Sequence, residues 1–131
     1  MSLKFKSQQK INPRDLTAPR KYYATAVTGS IVDLEELAEF VSDQSTISEA
    51  DILGVLKAME RTMVREMLKG RSIRLGDIGS LVMTIQSEGQ EKPEDVTSSS
   101  IKKARVNFRP GKRLRKMLKS LDFSKVQDQA A

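Results

Sequence analysis

Residues 101–121 concentrate the side chains that could bind an anion. This segment carries nine Lys or Arg residues and no Asp or Glu. In its first half Ala104, Val106 and Phe108 alternate with mainly basic residues, a period of two that is typical of a half-buried strand. The pattern predicts a strand with one apolar face and one cationic face, whose Lys and Arg side chains would neutralise phosphate groups.

The second half of this segment changes to a helical period. Leu114, Met117, Leu118 and Leu121 recur at the spacing of one helix face, so the basic residues between them occupy the flanks and the outer face. A Pro-Gly pair separates the two halves and predicts a corner. We therefore expect a cationic sheet face joined directly to a cationic helix.

The composition removes most catalytic and metal-binding chemistry. The chain has no Cys and no His, so it lacks thiolate nucleophiles, disulfides and the commonest metal ligand and general base at neutral pH. Glu35, Glu36 and Glu39 have the spacing of a solvated helix surface, with no partner residue that would complete an active site. We expect a non-enzymatic protein with no cofactor, no metal and no small-molecule substrate.

Charge is unevenly distributed along the 131 residues. The formal net charge is +6, but residues 33–70 hold nine acidic and four basic side chains, whereas residues 1–21 hold six basic and one acidic. An acidic helical part and a basic part favour a protein that presents one face to a polyanion. A basic face that is only solvated is the alternative.

The apolar content is modest. With 38% hydrophobic and 5% aromatic residues, the chain can bury only a small core, and dimerisation would help to bury it. No apolar run approaches the roughly 18 residues of a membrane span, and residues 1–21 lack the apolar centre of a secretion signal. We therefore expect a cytoplasmic protein with no membrane partner.

The two ends of the chain differ from its middle. Residues 1–19 contain two prolines and few apolar residues in any period, which predicts an arm or a disordered tail. Residues 21–27 are rich in β-favouring residues and predict a short edge strand. The predicted division is a basic extension over residues 1–31, a main domain over residues 32–121, and a polar, frayed tail over residues 122–131.

Two helices begin with the same capping pattern. Asp33 with Glu36, and Ser48 with Asp51, are capping boxes in which the first side chain accepts the amide hydrogen of the second residue. Apolar stripes follow both caps. Gly70 predicts the end of the second helix, which would be about 20 residues long.

A β-hairpin and a polar segment come next. Residues 73–75 and 81–86 both alternate in period two, and the Gly-Asp pair between them predicts a tight turn. Residues 87–100 hold four acidic residues and one Lys. This segment would form the distal end of a ribbon whose legs are the strands on either side.

This order of elements resembles the HU/IHF family of bacterial histone-like DNA-binding proteins. The local matches are Lys69-Gly70, Ile73-Arg74-Leu75 and Ile78-Gly79-Ser80-Leu81 after the long helix, and Phe108-Arg109-Pro110-Gly111-Lys112 followed by Leu114 at the strand-to-helix corner. The longer N-terminus, with its Tyr-Tyr strand, is similar to an HU-related branch with an N-terminal extension.

The resemblance implies a fold and a function. The fold is an α+β intertwined homodimer with two N-terminal helices, a three-stranded antiparallel sheet with a projecting β-ribbon, and a short C-terminal helix. The function is that of an architectural protein of the nucleoid, whose ribbons reach round double-stranded DNA and bend it. Ribbon prolines wedge between base steps in this family, and Pro93 lies where that wedge belongs.

The candidate DNA-binding residues come from two sources. Arg109 and Lys112 match basic positions of the family at the corner. The other basic candidates follow from the charge pattern of this chain: Arg71, Arg74, Lys102, Lys103, Arg105, Arg113, Arg115 and Lys116.

The distal segment departs from the family pattern because Glu91, Glu94 and Asp95 surround Pro93, where relatives carry basic residues. Phosphates repel carboxylates, so DNA could instead be held by the body and the ribbon base, with Pro93 as a turn residue. The alternative function is an interaction module whose acidic ribbon binds a protein. A third possible function is binding of single-stranded nucleic acid, with a base stacked on one tyrosine of residues 22–23.

Overall fold

The computed structural model describes residues 2–126, which form an α+β fold with three helices and two three-stranded sheets. The predicted fold class is thereby confirmed at the level of element types. In chain order the elements are β1 (Ser2–Lys10), β2 (Lys21–Val27), α1 (Leu34–Asp43), α2 (Glu49–Leu68), β3 (Ile73–Leu75), β4 (Gly79–Ser87), β5 (Ile101–Pro110), α3 (Lys112–Lys119) and β6 (Asp122–Lys125).

Contacts divide the chain into two compact units. One is Val32–Lys116, which holds α1, α2, the β3–β4–β5 sheet and most of α3. The other combines the two ends of the chain and holds β1, β2 and β6. The predicted division at residues 31 and 121 stays a prediction.

At each of the two helices, the predicted hydrogen bond to the N-cap side chain forms. The Asp33 Oδ1 atom accepts a hydrogen bond from the Glu36 amide at 2.9 Å, and the Ser48 Oγ atom accepts one from the Asp51 amide at 3.2 Å. Each bond satisfies an amide that has no partner inside its helix. The residues before each apolar stripe therefore set where α1 and α2 begin.

Helix α2 ends at the predicted glycine. Gly70 has φ +83°, a left-handed conformation that Gly adopts without steric cost. The Gly70 amide donates to the Met67 carbonyl at 2.9 Å and the Arg71 amide donates to the Glu66 carbonyl at 3.3 Å. This pair of bonds is a Schellman motif, which turns the chain out of α2 towards β3.

The β3–β4–β5 sheet is antiparallel throughout. Its register puts apolar residues opposite one another: Leu81 with Phe108, Met83 with Val106 and Ile85 with Ala104. Pairing of β4 with β5 continues to Ser87 opposite Ile101, after an irregularity between Gln86 and Ser87. The predicted hairpin and the two predicted ribbon legs are therefore present.

The corner after β5 depends on two glycines. A Cβ atom on Gly111 would overlap the Asp77 carbonyl oxygen and lie 2.9 Å from the Gly79 nitrogen. A Cβ atom on Gly79 would lie 2.5 Å from the Arg109 carbonyl oxygen. In this close packing the Gly111 amide donates to the Ile78 carbonyl at 2.7 Å, so the β3–β4 turn fixes the point where α3 begins.

The predicted N-terminal arm is wrong, because Ser2–Lys10 forms strand β1 at the centre of a second sheet. It pairs antiparallel with β2, the predicted edge strand, and parallel with β6. Only Leu3 and Phe5 supply apolar alternation in β1, so the strand exists through pairing on both edges. The predicted fraying of the C-terminal tail is wrong for Asp122–Lys125, and residues 127–131 lie outside the described part of the chain.

Few apolar side chains are buried within the single chain. Among the described hydrophobic residues, Ala38 and Ile52 are buried. On α2, Val55 and Val64 are more than half exposed, and Leu68 is 84% exposed. The helical part of Val32–Lys116 therefore presents an apolar surface that this chain alone does not cover.

Candidate nucleic-acid interface

One face of the β3–β4–β5 sheet collects arginine and lysine side chains. Lys103, Arg105 and Arg109 occupy alternate positions of β5 and so share a side of the sheet. Arg74 of β3 pairs with Ser80 of β4, which pairs with Arg109 of β5. Arg74 and Arg109 thus flank one neutral residue across all three strands. We call this the arginine face.

The rest of the arginine face carries neutral hydrogen-bonding groups. Thr84, Gln86 and Asn107 lie on the same side, and the Asn107 Nδ2 atom donates to the Thr84 Oγ1 atom at 3.1 Å. A shallow hollow on this side is lined by Arg74, Ser80 and Arg109 together with Ser72 and Val82. Sequence reasoning missed Ser80, Thr84 and Asn107, although their alternation with apolar neighbours was available as a signal.

The basic residues of this face have no carboxylate neighbour in the described structure. Across residues 2–126, no Asp or Glu oxygen lies within 4.0 Å of the charged groups of Arg74, Lys103, Arg105 or Arg109. Arg74 and every residue of β5 are exposed. The charges are therefore available to an external anion.

Helix α3 continues the basic surface beyond the corner. The Arg113 amide donates to the Asp77 carbonyl at 3.0 Å, and the Arg115 amide donates to the Gly111 carbonyl at 2.9 Å. These bonds fix the first turn of α3 against the β3–β4 turn. The side chains of Lys112, Arg113, Arg115 and Lys116 are exposed, whereas Leu114 between them is partly buried.

Two predicted site residues are placed differently from the others. Lys102 lies at the irregularity of the β4–β5 pairing, opposite no residue of β4, with its Nζ atom 3.9 Å from a Glu88 carboxylate oxygen. The Arg71 guanidinium lies 3.0 Å from a Glu66 carboxylate oxygen at the end of α2. Both residues stay predictions, and both already have an acidic neighbour.

Pro93 lies in a short 3₁₀ turn, Pro93–Asp95, and not on a paired strand. It occupies the start of the turn, where its missing amide hydrogen costs nothing. A second 3₁₀ turn, Ser98–Ser100, is capped by Thr97, whose amide donates to the Ser100 Oγ atom at 3.2 Å. This geometry accounts for Pro93 as a turn residue, and its wedge role stays a prediction.

The side of the sheet opposite the arginine face is apolar and uncovered in the single chain. Ile85 is 62% exposed, Val106 58% and Phe108 47%. The apolar side of β5 was predicted to be half-buried, and this chain by itself does not bury it. A sheet with one cationic and one unburied apolar side has two surfaces available for binding.

Comparison with known proteins shows the family. A family model described as an HU domain fused to a wHTH, Ig or glycine-rich motif, HU-HIG, matches residues 1–125. The chain belongs to the HU-HIG family. The predicted HU-like family is thus confirmed, whereas its branch stays a prediction. No curated protein matches this HU-like chain.

One solved structure is similar to this HU-like chain over nearly its whole length. It is a protein of Bacteroides vulgatus ATCC 8482 described as a presumed bacterial DNA-binding protein, with a TM-score of 0.67 and 14% sequence identity. The match covers 99% of this chain and 50% of that chain, so the HU-like chain spans half the length of that protein. At this identity the likeness shows the fold alone.

The described residues of this HU-like chain hold no metal-binding cluster. Across residues 2–126, no three Asp or Glu side chains converge in a way that could hold a metal ion. In the same range, every helix is too short or too polar to cross a membrane.

Proposed function

We propose that this chain is a non-catalytic architectural DNA-binding protein of the nucleoid. It acts in the cytoplasm as a homodimer and holds double-stranded DNA through phosphate contacts. The HU domain of its family and the description of the Bacteroides vulgatus protein support DNA as the partner. The contacts come from the arginine face and from the first turn of α3.

The alignment of Arg74, Lys103, Arg105 and Arg109 on one side of a sheet is the observation that carries this proposal. Arginine suits phosphate because its planar guanidinium donates two parallel hydrogen bonds to the oxygens. The neutral Thr84 and Asn107 side chains can add hydrogen bonds to the backbone of the nucleic acid. Such contacts position the protein without reading the base sequence, so we expect little sequence preference.

The apolar surfaces support a homodimer. The uncovered side of β4 and β5 and the exposed apolar residues of α2 belong to the same unit, Val32–Lys116. Patches of this kind mark protein interfaces. A second copy of the chain supplies the same apolar surfaces, and pairing of the two copies would bury them, as the resemblance to intertwined HU dimers implies.

Bending of DNA follows less directly from this structure. The 3₁₀ turn that contains Pro93 also contains Glu94 and Asp95, and carboxylates are repelled by the strongly negative minor groove. We therefore assign the binding to the arginine face and give Pro93 the role of a turn residue. Any bending would arise from the wrapping of DNA against the basic surface.

Fluorescence anisotropy with a labelled linear duplex over a salt series tests the proposal. We expect a log-log salt slope near about −5 if six phosphates are contacted. Arg105→Gln with Arg109→Gln should lower the magnitude of the slope by about 1 for each lost contact. The matched control is Arg61→Gln with Arg65→Gln on α2, which removes the same charge and should leave the slope unchanged. An equal loss in both variants would contradict a defined face.

The acidic distal segment supports a second candidate, a protein-interaction module. It contains two 3₁₀ turns, the second closed by Thr97 and Ser100, and its Glu91, Glu94 and Asp95 side chains are exposed. A complex with a basic protein that requires these three carboxylates, together with no affinity for DNA at moderate salt, would favour this function over DNA binding.

A further inference from the structure

The sheet formed by β1, β2 and β6 has a cationic face of its own. On the central strand β1, Lys4, Lys6 and Lys10 are an even number of residues apart, so their side chains lie on one side. Lys21 of β2 pairs directly with Lys10 and lies on the same side. At a strand rise of about 3.3 Å per residue, these charges extend over roughly 20 Å. We call this the lysine face.

Lys10 and Lys21 form a like-charge pair that no carboxylate among residues 2–126 neutralises. Like charges directly opposite each other on paired strands destabilise a sheet. In the described residues, no carboxylate oxygen lies within 4.0 Å of either ammonium group. The Lys10 Nζ atom lies instead 5.5 Å from the ring centroid of Tyr23, on the same face. An external anion would relieve this repulsion.

The loop that joins β1 to β2 forms a hollow beside this pair. Lys10, Lys21 and Tyr23 line it together with Asn12 and neighbouring apolar loop residues. The lysines therefore border a concave, open surface that a phosphate group can approach.

The two described acidic groups of this unit, Asp15 and Asp122, are bonded to other groups or lie at the far end of β1. The Asp15 carboxylate accepts hydrogen bonds from the Thr17 hydroxyl at 2.6 Å and the Thr17 amide at 3.0 Å, and these bonds lower the pKa of Asp15. Asp122 of β6 pairs with Ser2, at the opposite end of β1 from Lys10. Neither carboxylate lies within 4.0 Å of the Lys10 or Lys21 ammonium group.

The other side of the same sheet is apolar. Leu3 and Phe5 of β1 alternate with the lysines, and Phe123 of β6 pairs with Leu3. Lys125 pairs with Phe5 and so lies on this apolar side. The chain thus separates four lysines on one side from a fifth lysine on the other.

We propose that the lysine face is a second phosphate-binding surface, which contacts the backbone of duplex DNA. The inference rests on the proposed function and extends it to the N-terminal sheet. Four charges spread over roughly 20 Å suit a polymer with a phosphate every 3.4 Å per strand better than a single small anion. Lysines act there as point charges and read no base, so the contact adds affinity without sequence preference.

The full chain and a labelled linear duplex, over a salt series, provide the test. We compare Lys6→Gln with Lys125→Gln, which remove one charge each from opposite sides of the same sheet. Lys6→Gln should lower the magnitude of the log-log slope by about 1, and Lys10→Gln with Lys21→Gln by about 2. Lys125→Gln should leave the slope unchanged. Circular dichroism of each variant checks that the fold is retained.

The outcomes separate this inference from the proposed function. Equal slopes for Lys6→Gln and the unsubstituted chain, or equal losses for Lys6→Gln and Lys125→Gln, would overturn the lysine face while DNA binding stands. A slope that depends on the lysines, but not on Arg105 and Arg109, would remove the arginine face and keep the lysine face. Binding of inorganic phosphate in competition at millimolar concentration would identify a small-anion site and overturn the duplex assignment. No binding of duplex by the unsubstituted chain would overturn both.

Discussion

The β3–β4–β5 sheet and the β2–β1–β6 sheet have the same two-sided composition but are assembled differently. Each has one basic side and one apolar side. The first forms from one continuous stretch of chain, with a tight turn and a glycine corner. The second needs β6, and its Ser124 is 122 residues from its hydrogen-bond partner Ser2. The alternation of apolar and basic residues is thus a local property of each strand. The choice of the strands that pair with it depends on distant parts of the chain.

The two basic sides also differ in the chemistry of their cations. The cations of the arginine face are mainly arginines, Arg74, Arg105 and Arg109, whereas those of the lysine face are all lysines. Because arginine binds a phosphate through two hydrogen bonds and lysine acts as a point charge, we expect the arginine face to contribute more affinity per residue.

The glycine corner is the feature that the second sheet lacks, and substitution there should have the largest effect on stability. Gly111→Ala should lower the free energy of unfolding by about 2 kcal/mol or more, because its Cβ atom would overlap the Asp77 carbonyl oxygen. Urea denaturation measures the change. Gly54→Ala, in the interior of α2 with no atom within 4 Å of the added Cβ, should instead raise it by about 0.5–1 kcal/mol. Similar effects at both positions would show that the corner is not tightly packed.

The two sides of β5 should respond differently to the same new charge. Val106→Glu puts a carboxylate on the uncovered apolar side, so the dissociation constant of the proposed dimer should rise by about tenfold or more. Arg105→Glu, one residue away on the arginine face, should weaken DNA binding and leave the dimer intact. Analytical ultracentrifugation measures the first effect and anisotropy the second. Dimers of unchanged stability in Val106→Glu would refute an interface on the apolar side.

The pairing between the two ends of the chain can be broken at one bond. The Val126 amide donates to the Phe5 carbonyl at 2.8 Å, and Val126→Pro removes this donor. Hydrogen exchange of the β1 amides should accelerate by about tenfold or more. Weaker pairing of β1 with β6 lowers the free energy needed to open this sheet without unfolding the rest of the chain. The amides of β5 should keep their protection. Val126→Ala retains the donor and is the control; acceleration in that variant as well would point to side-chain packing.

The smallest effect is expected at the acidic distal segment. Removing the charges of Glu91, Glu94 and Asp95 by Gln and Asn substitution should raise affinity for duplex DNA by less than about threefold at low salt, and the gain should vanish as salt screens it. Pro93→Ala should change affinity by less than about twofold. The wedge role would be restored if Pro93→Ala caused a large loss of affinity, or a large loss of DNA bending as measured by fluorescence energy transfer.

Features that depend on neighbouring residues could be predicted from the sequence. The caps at Asp33 and Ser48, the end of α2 at Gly70, and the paired ribbon legs follow from short-range hydrogen bonding and period-two alternation. The same alternation groups Lys103, Arg105 and Arg109 on one side, whereas the acidic neighbours of Lys102 and Arg71 lie outside that pattern. The local sequence pattern therefore predicts which basic residues share a face of the sheet better than it predicts which of them have an acidic neighbour.

Features that depend on distant partners could not be predicted. Strand β1 has apolar alternation only at Leu3 and Phe5, so its order depends on pairing with both β2 and β6. In the distal segment, hydrogen bonds between Thr97 and Ser100 close the second 3₁₀ turn, a feature that a search for strands overlooks. The uncovered apolar side is visible only when the register brings Met83, Ile85, Val106 and Phe108 together.

The parallel pairing of β1 with β6 sets an order for folding during synthesis. At about 5–20 residues per second, β6 leaves the ribosome roughly 6–24 s after β1, so the β1–β2 hairpin must wait with one edge of β1 unpaired. An unpaired edge can add a strand from another molecule. The charges of Lys4 and Lys6 on that strand oppose such association in the nascent chain, before the last strand completes the sheet.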